Sequence, residues 1–469
     1  MRNWLVILFS SAALLFSSPS HAQQSVQAEQ AAFIRQLFDS ALVQGQSWSM
    51  LSHLCKQIGH RLSGSENAHK AVLYTRSQML KLGFDSVWLQ PVMVPVWVRG
   101  TKEKAYLVQS KRTPGGLIQQ QEIQIEILAL GGSVATPPGG LTAEVVEVAN
   151  LEALRALPTA AASGKIVFIN EAFDPRNIHT FEGYGHCVGN RYNGAREAAA
   201  KGAVGVIVRS LTYRVDAFPH TGVMSYGDAA NRIPAAAIST LHAEQLSELL
   251  RKKQEVRLYM QMNCESRPDT LSYNVVGQIH GSELRDQIIA VGGHLDSWDV
   301  GEGAHDDGVG CVHSIEALRL LKVNGYQSRR SLRAIMFMNE ENGLRGGDEY
   351  ARLAKELKEN HFAAIESDRG GFSPRQFNVE ADSLVIADMQ KWLPLFEPYG
   401  VHSIKAGGSG ADVGRLRGNA EALLGFVPDS QRYFDFHHAN SDVLEAVNRR
   451  ELELGSAAIA ALIYLLDQP

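Results

Sequence analysis

Five short clusters of histidine and carboxylate follow one another along the second half of this 469-residue chain. They are Gly293-His294-Leu295-Asp296, His305-Asp306-Asp307-Gly308, Asn339-Glu340-Glu341-Asn342, Glu366-Ser367-Asp368 and His437-His438-Ala439-Asn440-Ser441-Asp442. Each alone has a plain explanation. His-x-Asp is an ordinary surface pair, Asp-Asp-Gly makes turns and caps helices, and the spaced Asp/Asn ladder of a calcium loop is missing. Together they offer more. Two divalent ions need one shared carboxylate, with an imidazole and a further carboxylate on each, and His294, Asp306, Glu341, Asp368 and His438 supply that set without remainder. Mixed nitrogen and oxygen donors suit zinc. A pair of zinc ions held this way would lower the pKa of a water toward ~7 and polarise a carbonyl, so hydrolysis is the expected reaction. Glu340, beside a ligand but free of coordination, is placed to carry the proton from water to the leaving amine as general base. Asp296 is expected to accept the His294 ring N–H and fix its tautomer.

Such clusters meet only if each ends a neighbouring strand, because ligands in open α/β sheets gather at the carboxyl ends of strands. Apolar runs at 287–292, 332–338, 362–365 and 422–427 read as buried strands, and helical periodicity at 309–321, 349–357 and 450–466 alternates with them. The expected fold class is therefore α/β, with a mostly parallel central sheet flanked by helices. Upstream, helical spacing covers 28–45 and 65–82, with Ser63 and Glu66 set for a capping box and Gly83 as the stop. An extended run then opens at Ser86 and is broken at Pro91 and Pro95. Residues 123–262 differ in character. They are rich in Ala and Gly and have their own strand–helix rhythm around 164–168, 193–201 and 202–208, which reads as an inserted domain or else as more of the main sheet. The chain then divides into 1–22, 23–122, 123–262 and 263–469. Every candidate ligand follows residue 287, so the metal site is expected to belong to the interrupted main domain, with the insertion as a roof that restricts substrate length.

Residues 1–22 combine Arg2, an apolar stretch at 4–16 and Ser20-His21-Ala22, the pattern of a secretory signal peptide cleaved after Ala22. The stretch is short for a span of ~20 apolar residues, so the mature chain is expected to be secreted or periplasmic and free of the membrane. With 45% hydrophobic and 20% charged residues, the composition is ordinary for a globular protein with room for two cores. A net charge of −5, one unit more negative without Arg2, and the lack of any basic track argue against a nucleic-acid partner. Cys55, Cys187, Cys264 and Cys311 are scattered without Cys-x-x-Cys spacing, which argues against a disulfide framework and a thiolate zinc site and leaves open one pair in an exported chain. Cys311 reads as a small buried hydrophobe.

With these residues in view, the chain resembles the di-zinc aminopeptidase and glutamate carboxypeptidase family of metallopeptidases. The resemblance runs through Gly59-His60-Arg61-Leu62-Ser63-Gly64-Ser65, Pro219-His220-Thr221-Gly222 and, most specifically, Gly293-His294-Leu295-Asp296-Ser297-Trp298-Asp299-Val300-Gly301. The inserted segment looks like a protease-associated domain. The resemblance implies a zinc-exopeptidase-like fold, metals on His294, Asp306, Glu341, Asp368 and a late histidine, and Glu340 as base. The family spacing His-x-x-x-Asp, ending here on Asp442, favours His438 over His437. It also implies dipeptides with free termini as substrates, and a homodimer. Ser409-Gly410-Ala411-Asp412 is similar to the family's substrate loop. His305, Asn339 and Arg369 depart from the family pattern, and Arg369 would meet either a substrate carboxylate or a surface acid. A receptor-like binding protein and a glutaminyl cyclase-like acyltransferase share the scaffold; the first kind has lost metal ligands that this chain keeps, and the second lacks the insertion. A serine hydrolase would need a Gly-x-Ser-x-Gly elbow, and none is present. Aminopeptidase, carboxypeptidase and dipeptidase activities are all compatible with the residues.

Overall fold

Strands buried on both faces carry near-continuous apolar sequence, and four of them form the centre of the larger of two eight-stranded sheets. In this computed structural model, which describes residues 21–112, 118–252 and 256–469, they lie in the order Arg330–Phe337, Leu284–His294, Asn360–Glu366 and Ala420–Pro428, all parallel. The margins differ. Glu265–Ile279 and then Ser86–Val98 extend one side by antiparallel pairing. Pro374–Glu380 is antiparallel to Ala420–Pro428 on the other side, with Ser403–Ala406 beyond it. The sheet is therefore mixed, and the expectation of a mostly parallel one describes only its middle.

Alternate residues of the central strands feed different cores. Ile289 and Val291 join a large cluster with the helices Glu66–Lys81, Val309–Val323 and Arg449–Leu466, while Ile288 and Ala290 meet Tyr350 and Ala354 of Arg345–Glu356 on the opposite face. Helices thus cover both faces. Two local expectations need correction. Ser65, not Ser63, caps Glu66–Lys81, accepting the Ala68 N–H at 3.1 Å. Pro91 and Pro95 do not break their strand, because Ser86–Val98 is an edge whose outer side needs no donors, and the register merely shifts between Val94 and Val96.

The second sheet runs Ile118–Gln124, Lys104–Arg112, Val256–Gln261, Leu141–Val148, Ile166–Ile169, Gly205–Arg209, Ala235–Ile238 and Ile127–Ala129. It begins ahead of the boundary expected at residue 123, because Lys104–Arg112 pairs both with Ile118–Gln124 and with Val256–Gln261, the strand by which the chain leaves. The unit packs around cores of its own. Trp298, from the larger sheet's loops, is buried in one of them, and the neighbouring Asp299 pairs with Arg99 at 2.5 Å. All four cysteines are buried and unpaired. The signal-like pattern lies outside the described residues except for His21 and Ala22, which open the helix His21–Gln44. Among the described residues, no helix is long and apolar enough to cross a membrane.

Candidate metal centre

Parallel strands place their carboxyl ends along one edge, and the five clusters meet there. His294 is the last residue of Leu284–His294. The Glu340-Glu341 pair follows Arg330–Phe337, and Asp368 follows Asn360–Glu366. His437 and His438 come after the turn Tyr433–Asp435, beyond Ala420–Pro428. Asp306 lies in the middle, between the strand carrying His294 and the helix Val309–Val323. Its two carboxylate oxygens face different partners. Oδ1 is 3.2 Å from His294 Nε2, which is 3.5 Å from Asp368 Oδ1. Oδ2 is 3.1 Å from His438 Nε2, which is 3.0 Å from Glu341 Oε2.

Both imidazoles are held by their other nitrogen. His294 Nδ1 is 2.9 Å from the Asp296 carbonyl oxygen, and His438 Nδ1 is 3.2 Å from that of Thr221. Carbonyl oxygens only accept, so each Nδ1 carries a proton and each Nε2 is aimed at carboxylate, an arrangement that needs a proton or a metal ion between the two. Among the described residues, Asp306 Oδ2 and Asp368 Oδ1 are buried without a hydrogen-bond partner, and only positive charge reconciles such an arrangement. The donor set, two imidazoles and three carboxylates, fits zinc. The electrostatics agree. Burial opposes charge on His294, yet Asp368 and Asp306 hold its pKa well above the usual value. Burial is likewise outweighed at His438, where Glu341 and Asp306 push the pKa up to about 10. Burial and the nearby Asp306 raise Glu341 to about 7.

His437 is the weaker candidate. Its Nε2 is 3.7 Å from Asp306 Oδ2, and its ring stacks on His438 with centroids 3.5 Å apart. Tyr184, Tyr433 and Phe434 pack around it.

Several buried groups tether the backbone around these ligands. Asp296 does not use its carboxylate on His294, from which it stands 4.0 Å away. The side chain turns instead to the next strand end, accepting the backbone N–H of Asn339 at 2.7 Å, Glu340 at 3.1 Å and Glu341 at 3.4 Å. Asn339 has φ 76°, a left-handed conformation that Asn tolerates better than most residues. Asp307 joins strand to helix, accepting the N–H of His294 at 3.0 Å and of Gly310 at 2.8 Å. A side chain at Gly310 would run into Asp307 and the Ser367 carbonyl, so the approach requires glycine. Asp442 accepts the N–H of His305 at 2.7 Å and of Asp306 at 3.2 Å. Arg61 donates to the carbonyls of Leu295, Glu302 and Gly303 at 2.6–2.8 Å, fixing the loop after His294. The tethering roles of Asp307, Asp442 and Arg61 are not apparent from spacing, although all three residues lie in stretches already singled out.

Glu340 is half-buried, and its carboxylate makes no hydrogen bond among the described residues. Burial, reinforced by Asp368 and Glu341 against His294, pushes its pKa well above the usual range. His305 stacks on Phe372 and Phe436, where burial lowers its pKa to about 4. Arg369 lies over the Phe181 ring, 4.8 Å from its centroid. Glu366 accepts the N–H of Ala411 at 2.8 Å and of Val413 at 2.6 Å, holding the loop that contains Asp412.

A cavity of about 410 Å³ opens onto the cluster. Glu340, Glu341, Asp306 and Asp368 line one side, while Phe181, Tyr184, Arg191, Tyr192 and Val223 reach in from the second unit. That unit also touches the ligands. The Thr221 N–H donates to the His438 carbonyl at 3.0 Å, and His220 Nδ1 donates to that of His437 at 2.7 Å. The second unit therefore braces the centre as well as roofing it, more than the position of the ligands in sequence suggests.

Comparison with known proteins agrees with this geometry. Residues 274–463 match the profile of Peptidase family M28. The chain is 33% identical to carboxypeptidase Q of Homo sapiens over 423 residues, spanning 90% of this chain and 85% of that protein. It is 25% identical to aminopeptidase YwaD of Bacillus subtilis over 430 residues, or 89% and 84% of the two chains. A solved peptidase M28 precursor from Shewanella amazonensis, 33% identical, superposes with a TM-score of 0.88 over 94% of this chain and 97% of that one. The fold is shared with a zinc aminopeptidase from Bacillus subtilis, 22% identical, at a TM-score of 0.63 over 90% and 94%.

Proposed function

The chain belongs to peptidase family M28, a metallo-exopeptidase family, and from that premise we propose that it is an exported two-zinc exopeptidase cleaving short peptides, foremost dipeptides with free termini. The observation that carries this reading is the division of labour within Asp306, whose two oxygens face two separate pairs of imidazole and carboxylate. His294, Asp368 and Asp306 would hold one zinc; His438, Glu341 and Asp306 the other. Bound zinc supplies Lewis acidity, lowering the pKa of a water and polarising a carbonyl. The chain's own residues do the rest. Glu340, its backbone pinned by Asp296 and its carboxylate uncommitted, takes a proton from the attacking water and returns it to the leaving amine. The carbonyls of Asp296 and Thr221 keep both ring lone pairs inward. The second unit, read as a protease-associated domain, narrows the cavity and excludes folded chains. Export rests on the signal-like pattern of residues 1–22.

Hydrolysis of free dipeptides, their N-acetylated forms, tetrapeptides and a protein substrate tests the reading. Free dipeptides should be cleaved fastest, chelation should stop turnover, and zinc should restore it. Turnover that survives complete metal removal, or a preference for protein, would overturn it.

A further inference from the structure

We propose that Trp298 is a positioning residue for one of the two zinc ions, the one assigned to His438 and Glu341, and makes the affinity of that ion alone depend on how the second unit is docked. The inference rests on the two-zinc reading above and concerns a residue to which that reading gives no role.

Trp298 stands in the loop after Leu284–His294, yet its ring is buried in a core of the second unit and only 2% exposed. Its backbone stays with the metal centre, where the N–H donates to Glu341 Oε1 at 3.1 Å. That bond leaves Oε2 as the oxygen turned to His438, 3.0 Å from its Nε2. The indole also meets the His438 ring edge-on, with centroids 5.8 Å apart. One residue therefore touches both of the ligands that this ion does not share. Partners of this kind orient metal ligands and tune their affinity.

Packing holds the ring. Its Nε1 has no hydrogen-bond partner among the described residues. The far edge of the indole lies so close over Gly131 that a side chain there would run into Trp298 before anything else. Gly131 in turn donates to the Gly222 carbonyl at 2.9 Å and accepts the Met224 N–H at 3.0 Å. Thr221, whose carbonyl holds the His438 ring, is the neighbour of Gly222. Asp299 adds a second hold through Arg99, which donates to the Ala129 carbonyl at 2.6 Å. The same oxygen accepts the Thr221 hydroxyl at 2.7 Å. The tethers of Glu341 and His438 thus end on one edge of the second unit, residues 129–131 and 221–224. Among the described residues, neither His294 nor Asp368 has a hydrogen bond or ion pair to that unit. A shift of this edge moves the partners of one ion and spares the other.

Gly131→Ala is the sharpest test, because it presses a methyl against the indole and leaves Trp298 and every metal ligand in place. Zinc titration with a competing chelator, on protein shown to be folded by circular dichroism, should find one affinity weakened roughly 10- to 100-fold and the other unchanged. Trp298→Phe keeps the backbone N–H and removes the far edge of the ring. Gly131→Ala combined with Trp298→Phe should therefore recover most of the lost affinity, which a general loss of stability would not allow. Two backgrounds identify the ion. In Asp368→Ala the better-held zinc is the one in question, and Gly131→Ala should weaken it by the same factor; in Glu341→Ala it should leave the better-held zinc unchanged. Affinities both unchanged or both weakened alike, no recovery in the double variant, or a loss confined to the Glu341→Ala background would overturn the inference. If Gly131→Ala does not fold, Trp298→Phe alone should weaken the same ion by a smaller factor, and unchanged affinities there would overturn it equally. A wild type that binds a single zinc would overturn the two-zinc reading itself, whereas a two-zinc wild type with an indifferent Gly131→Ala overturns the role of Trp298 alone.

Discussion

His294 and His438 face the same carboxylate but are held by different parts of the molecule. The His294 ring is fixed by a carbonyl two residues away, on the loop that follows its own strand. The His438 ring is fixed by a carbonyl of the second unit, 217 residues distant in sequence. Among the described residues, the larger sheet thus provides every donor atom around Asp306, while the second unit provides none and still governs one of them. His438 also has φ 62°, an unusual backbone for a non-glycine residue that its surroundings must sustain. Donors can be gathered by strand ends alone; their orientation is shared across the fold.

The largest effect should come from the larger sheet. Glu340→Gln removes the proton carrier but no metal donor, so turnover should fall by about 10²–10⁴ with zinc content unchanged. Near-wild-type rates, or a lost metal, would remove Glu340 from that role.

The second unit should act more gently and through the metal. Gly222→Ala adds a side chain that collides with Arg191 beside the Thr221 carbonyl. Loss of such a supporting contact typically costs 10–100-fold in metal affinity. Zinc titration with a competing chelator should show one of the two affinities weakened by that order and the other preserved. Two affinities equal to wild type would dissolve the contrast between the imidazoles.

The same contrast explains what could be read from sequence. His294, Asp306, Glu341, Asp368 and His438 were legible because each sits in a compact cluster just past an apolar run, and parallel strands bring such ends together. The tethers were not. Asp296 turns to the backbone of the neighbouring strand end instead of to His294. The Asp442 carboxylate holds backbone N–H groups and Thr221 offers its own carbonyl, so the partner in each contact is a backbone group that leaves no pattern in residue type. In Gly293–Gly301 the first half belongs to the centre, whereas Trp298 is buried in a core of the second unit and Asp299 pairs with Arg99 where the chain passes between the two sheets, roles invisible in the spacing alone. Pro91 and Pro95 misled because edge position is a property of the sheet, not of the strand.

Removing the metal should sharpen the comparison by acidity. Burial, with Asp306 beside Glu341 and Asp368 beside Glu366, raises both groups from 4.5 to about 7 in the folded chain. Folded-state pKa values above the unfolded ones stabilise at low pH, and that stability is lost as pH rises through about 7. The Tm of chelated protein should therefore fall between pH 4.5 and about 7, and the stabilisation added by zinc should grow over the same range. A metal-free Tm that stays flat or rises with pH would contradict these directions.

The smallest effect separates two neighbouring serines. Ser65 caps a helix, so Ser65→Ala should cost about 1 kcal/mol of stability with little change in kcat. Ser63 hydrogen-bonds Asn339 and Asn342 at 2.9 Å, beside the Glu pair, so Ser63→Ala should slow turnover a few-fold. The reverse pattern would show that these contacts have been misassigned.

The most direct test of the two-zinc centre is zinc stoichiometry by elemental analysis, on the wild type and on Asp306→Ala, with Asp368→Ala and Glu341→Ala as controls. Among the described residues, Asp306 is the one carboxylate that faces both imidazoles. The account predicts two zinc ions per wild-type chain, depletion of both in Asp306→Ala, and depletion of mainly one in each control. A folded Asp306→Ala protein that keeps one zinc at wild-type affinity, or a fully active wild type with a single zinc, would contradict it.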